Sequence, residues 1–184
     1  MQFLAELWLP ILLSAAAVFI ISALFHTVVP FHTREWAGLA NEDAVADALR
    51  GSAASPGLYT IPFCPPDQIN SPEFQAKMAR GPVAFLTVMP TGMRGMGPML
   101  GLSFVHNLIV AVFVAYVASH TIAAGAEYLA VFRITGTVTF IAYALGQLPD
   151  SVWFGRPWKS YGLIVMDAIV YAVVTAGIFG WRWA

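Results

Sequence analysis

The sequence predicts an all-α membrane protein: a four-transmembrane-helix bundle with a small extramembrane α+β capping segment between helices one and two. Three observations lead there. Of 184 residues, 59% are hydrophobic and only 10% charged, with a mean hydropathy of +0.72, whereas soluble domains carry about a quarter charged residues. Four stretches approach the roughly 20 apolar residues that a helix needs to cross hydrocarbon while satisfying its own backbone. Between the first and second of these lies a polar segment, 30–99. The chain therefore reads as 1–29 (N-terminal segment and first crossing), 30–99 (capping segment) and 100–184 (crossings two to four).

The first crossing runs from about Trp8 to Val29, with Trp8 suited to an interface and Pro10 in the first turn, where its missing donor costs little. No Lys or Arg precedes it and no clean cleavage site follows, so it reads as an anchor. The second spans about Leu100 to Ser119, the third about Ala130 to Leu148, and the fourth about Ser160 to Trp181. The third is the most polar, with Arg133 near its start and Thr135, Thr137, Thr139 and Tyr143 along it. An even number of crossings places both termini on one side. Arg34, Arg94, Arg156 and Lys159 border the first and third connections, against Arg133 and Arg182 opposite. The positive-inside tendency then assigns 30–99 to the cytoplasmic face of what is expected to be a bacterial inner membrane.

The 30–99 segment carries helix grammar twice. "NEDAVADALRG" offers Asn41 as a cap, acids in the first turn, Arg50 in the last and Gly51 as a stop, and "SPEFQAKMARG" repeats it with Ser71, Pro72 and Gly81. "GLYTIPF" and "PVAFLTV" read as short strands, with Pro62 holding the first at an edge or ending it. So short a segment cannot bury a large core of its own, and it is expected to cap one end of the bundle. In "MPTGMRGMGPMLG", Met93, Met96 and Met99 recur every third residue, which would suit soft copper(I) ligation or, more plainly, adaptable packing. Cys64 is the only cysteine, so neither an intramolecular disulfide nor a thiolate-rich zinc site is available.

The charge of the chain is nearly balanced, 9 Lys plus Arg against 10 Asp plus Glu, with no basic field for nucleic acid. Its most unusual feature is Asp167 inside the fourth apolar run, because an ionised carboxylate at that depth needs partners. In a four-helix bundle the second and fourth helices run parallel. His106 then lies about 9 Å past Leu100 and Asp167 about 10 Å past Ser160, at one depth. His26, Asn107, Tyr143 and Tyr171 approach the same level and complete an expected intramembrane polar cluster. Its plainer role is a hydrogen-bonded network that fixes helix register. Its sharper role is handling protons or a transition metal, with His26, His106 and Asp167 as a two-nitrogen, one-oxygen ligand set. His26 and His32 could serve a hydrolase only in a geometry the sequence does not specify, and no nucleophile triad is present, so the chain reads as non-enzymatic.

Ala168, Ala172, Ala176 and Gly180 form a small-residue ridge on the fourth helix that admits close packing by a neighbouring helix, within the chain or from another subunit. Trp153, Arg156, Trp158, Lys159 and Trp181 suit the headgroup interface and its lipids. Taken together, the sequence favours an accessory or oligomer-forming subunit, associating with itself or with other membrane proteins. Proton or metal binding or transport through the polar cluster is the alternative, with copper or another transition metal as its cofactor.

Overall fold

The computed structural model describes residues 2–29, 32–93 and 95–183. Arg94, one of the charges used above for orientation, lies outside them. The chain divides into two compact units, Met1–Trp36 with Arg94–Ala184, and Ala37–Met93.

The first unit is helical. A short α1 (Gln2–Glu6) runs through Leu7 into α2 (Trp8–Thr27). Much later in the chain come α5 (Met96–Thr121), α6 (Tyr128–Ala144), a short α7 (Leu148–Trp153) and α8 (Trp158–Trp181). Among the described residues four helical stretches, counting α6 through α7 as one, are long and apolar enough to cross a membrane. At 1.5 Å per residue, the 26 residues of α5 rise about 39 Å. α5 starts a turn before the apolar run because Pro98 falls in its first turn, where no intrahelical donor is required. Met96 and Met99 therefore enter the helix, while Met93 stays outside and is fully exposed.

Each long helix packs on the next, and α8 closes back onto α2, so α2, α5, α6 and α8 form a ring. One end of that ring is dry. Leu7, Ile11 and Ala15 meet Val110, Ala111, Val114, Ala115, Val131 and Phe179 in a single apolar core. Thr135 and Thr139, buried in α6, donate to the carbonyls of Val131 and Thr135, each at 2.7 Å. Their hydroxyls are thus satisfied within the helix and need no partner across the bundle.

The ridge on α8 is used inside the chain. Ala168, Ala172 and Ala176 are buried, and α6 presents Gly136, where an added Cβ would lie 3.2 Å from that of Ala176. At Gly180 an added Cβ would fall 2.6 Å from the ring of Tyr128. Small residues on both helices let the two backbones approach, as packing without a side-chain wedge requires.

The second unit contains α3 (Glu42–Gly51), β1 (Gly57–Ile61), α4 (Pro72–Arg80) and β2 (Ala84–Val88). The strands pair antiparallel, Gly57 opposite Val88 and Ile61 opposite Ala84. Ser71 caps α4 by accepting from the Phe74 N–H at 3.2 Å, and Gly81 leaves the helix at φ +63°. Asn41 occupies the cap position of α3 but makes no capping bond. None of the described residues in this unit is fully buried, in keeping with its size.

Candidate functional site

At the end of the ring opposite the dry core, the four helices line an open cavity of about 770 Å³. The last turns of α2 supply Ser22 and His26. The first half of α5 supplies Met96, His106 and Asn107, α6 supplies Tyr143, and α8 supplies Asp167 and Tyr171. Gln147 and Arg156, from the connection between α6 and α8, complete the polar wall. The structure thus brings His26, His106, Asn107, Tyr143, Asp167 and Tyr171 to one cavity.

Within that wall two groupings separate. Tyr143 donates its hydroxyl to Asn107 Oδ1 at 2.9 Å, and its ring meets those of His106 and Tyr171 edge-on at centroid distances of 5.7 and 5.2 Å. The second grouping surrounds Asp167. Donor atoms of His26, His32 and Asp167 all lie within 4.8 Å of one another. His32, in the turn after α2, places Nε2 3.0 Å from Asp167 Oδ2 and Nδ1 2.7 Å from Glu35 Oε2. The imidazoles of His26 and His32 stack nearly parallel, 4.3 Å apart and 9° from coplanar. His106 shares the cavity but is not a member of this cluster.

Local structure explains why. The chain leaves α2 after Thr27 and makes a single helical turn at Thr33–Glu35. That turn puts residues three apart, His32 and Glu35, side by side. Ser160, in the first turn of α8, hydrogen-bonds the Glu35 carboxyl and ties the turn to α8. His32 and Asp167 are both buried, at 7% and 6% exposure.

Electrostatics follow from the same contacts. Burial works against the imidazolium of His32, but hydrogen bonds to Glu35 and Asp167 and the charges of both outweigh it, and its pKa is raised. Burial likewise opposes ionisation of Glu35. Hydrogen bonds from Ser160 and His32, with the positive fields of His32 and Arg156, nevertheless hold its carboxyl below the usual range. Glu35 is therefore an anion at neutral pH that accepts the Nδ1 proton of His32.

The donor chemistry suits a metal. His26 Nδ1 lies 2.9 Å from the Ser22 carbonyl, which can only accept, so the proton sits on Nδ1 and the neutral ring carries its lone pair on Nε2. Glu35 fixes the same tautomer in His32. Both rings thus have the outer-shell acceptor that metal-ligating histidines almost always possess. The third donor, Asp167, has a buried Oδ1 with no hydrogen-bond partner among the described residues. Bonds of about 2.0–2.2 Å hold donors roughly 3.3–3.6 Å apart in a tetrahedral shell; the His32–Asp167 pair is already that close, and His26 would have to leave its parallel stack on His32 and turn its in-plane lone pair toward the ion. His26, the exposed member, is the ring with room to move.

The remaining sequence-derived positions fall elsewhere. Met96 reaches the cavity, Met99 is exposed on α5, and Met93 belongs to the other compact unit. Trp153, Trp158 and Trp181 are exposed, at 73%, 62% and 69%, Lys159 is exposed, and Arg156 is half-buried in the cavity wall. Helical spacing along the crossings does not place His32 and Glu35 in the cluster. Their signal was the His-x-x-Glu spacing of "HTRE", which lay hidden in a segment read as part of the 30–99 connection. Comparison with protein families, curated proteins and solved structures finds no match to this chain.

Proposed function

We propose that this is an integral membrane protein whose polar half binds a divalent transition metal through His26, His32 and Asp167. The observation that carries the reading is the donor cluster itself, with both histidine Nδ1 groups anchored by acceptors and an unpartnered carboxylate oxygen beside them. Its chemistry, two imidazoles and a carboxylate, suits zinc, iron(II), cobalt or nickel, and copper(II), better than the hard cations that prefer all-oxygen shells. Support for the membrane setting comes from the outer faces of the helices. Ile20, Leu24, Leu102, Ile109, Phe113, Ile141, Ile169 and Val173 are all exposed, a density of outward apolar side chains that lipid, not water, accommodates. The accessory-subunit reading draws no support from the α8 ridge, since α6 already covers it.

Equilibrium dialysis of the full chain in lipid nanodiscs against zinc, followed by metal analysis, tests the reading. One ion per chain, retained after washing, is the expected result, and none retained contradicts it. Glu35→Gln keeps the size of the side chain but weakens its grip on the His32 Nδ1 proton. It is expected to lower zinc affinity about 10- to 100-fold, as losing an outer-shell partner does. An affinity within twofold of wild type would show that Glu35 does not orient the ligand.

Zinc must also displace the proton that an imidazolium His32 carries on Nε2, 3.0 Å from Asp167 Oδ2. Because the pKa of His32 is raised, competition begins above the ordinary imidazole value of about 6.5. Below that raised pKa, zinc affinity should fall about tenfold per pH unit for one displaced proton. Titrations at several pH values between neutral and mildly acidic check the slope; a flat profile would mean that His32 is not a ligand.

A further inference from the structure

We propose that the cavity beside the metal cluster takes a single-chain amphiphile whose anionic head group completes the coordination of the ion. This rests on the metal-binding reading above and names the ligand class of the same site. Three protein donors leave a zinc-like ion short of its usual four, the pattern of sites that keep one position for an exchangeable ligand. The space next to that position is large. A cavity of about 770 Å³ falls within the roughly 300–1,000 Å³ of pockets that enclose small organic molecules.

The wall combines two chemistries that a single simple ligand cannot meet. Asp167 and His26 line it beside Arg156, and the same wall carries the hydrocarbon side chains Phe19, Leu100 and Ile164. Arg156 lies 3.9 Å from the Asp150 carboxylate, at the limit of an ion pair, and its field also reaches Glu35; its side chain is 37% exposed, and its five N–H donors leave room for a further anion. A free inorganic anion would satisfy the metal and Arg156 but leave the apolar wall in water. A neutral chain would cover that wall but leave the open coordination position to water. An anionic head on a hydrocarbon chain meets both demands, and a lipid phase delivers such molecules to a bundle already embedded in it.

Cobalt(II) in place of zinc makes the test direct, since its visible absorption reports on the inner coordination shell. The full chain in nanodiscs is loaded with cobalt, uptake is measured, and dodecanoate or acetate is then titrated in. Dodecanoate should shift the cobalt bands at a concentration at least about tenfold below acetate, because only its chain gains from burial. Ser103→Trp, which fills the cavity from α5, a helix that contributes no donor, should retain cobalt uptake and lose the dodecanoate response. Leu100→Trp makes the same test if the first variant does not fold. Equal potency of acetate and dodecanoate would overturn the amphiphile in favour of a free anion. A spectrum unchanged by both would overturn the open position, and a dodecanoate response that survives both tryptophans would place the chain elsewhere. Failure of the wild-type chain to take up cobalt overturns the metal reading itself, and is recorded before any amphiphile is added.

Discussion

His32→Ala is expected to weaken zinc binding by more than about 100-fold, beyond the loss typical of an outer-shell change, because it removes one of three inner donors and leaves Glu35 and Asp167 facing each other without a cation. Asp167→Asn should act similarly, since an amide is a poor substitute for a carboxylate at a transition metal. His106→Ala provides the contrast. His106 lines the cavity and packs against Tyr143, outside the donor cluster, so its affinity should stay within about threefold of wild type. Isothermal titration of the three variants and the parent chain settles the ligand set. A large loss in His106→Ala with little change in His32→Ala would reverse it.

Gly136→Leu should destabilise the bundle by about 3 kcal/mol, at the upper end of what overpacking costs. A first carbon at that position already sits 3.2 Å from Ala176 Cβ and 3.7 Å from the Ala172 carbonyl. The three carbons beyond it can be placed only by separating α6 from α8, the most extensively packed pair of helices. Gly101→Leu is the control: nothing lies within 4 Å of its added Cβ, and its effect should stay within about 0.5 kcal/mol. Thermal unfolding in matched detergent, followed by circular dichroism, compares them. Equal midpoints for the two variants would mean that α6 and α8 do not meet through Gly136.

Much of this architecture was legible because it is written in long-range periodicity. Four apolar runs of crossing length are hard to mistake, and the cap at Ser71 and the stop at Gly81 are local signals that the structure uses where they stand. The alanine ridge was equally visible, although only the fold could say that Gly136 and Tyr128 on α6 cover it. The polar cluster was half legible. Counting residues along helices gave depth, and depth brought His106 and Asp167 to one cavity. It could not give azimuth, so it could not tell which imidazole faces the carboxylate. His32 escaped because it lies in a turn, where no periodicity applies. A break after Thr27 sends the chain back over α8, and the ring arrives beside Asp167 by a route that helical arithmetic does not follow. A short His-x-x-Glu spacing next to the end of a crossing is the signal that would have drawn attention to it.

The same geometry explains why an acid is held within an apolar helix at all. Asp167 is buried beside His32, whose second nitrogen is held by Glu35, so one imidazolium bridges two carboxylates. Breaking that bridge at one end leaves a buried charge, which is costlier than never having built it. A divalent ion in place of the imidazolium proton would neutralise both carboxylates while drawing His26 into the set.

X-ray absorption at the zinc edge of the metal-loaded full chain tests the central claim most directly. Two imidazole nitrogens and one or two oxygens at about 2.0–2.2 Å are predicted, with the outer-ring scattering that histidine ligands produce. A shell of oxygens alone, or one containing sulfur, would contradict it.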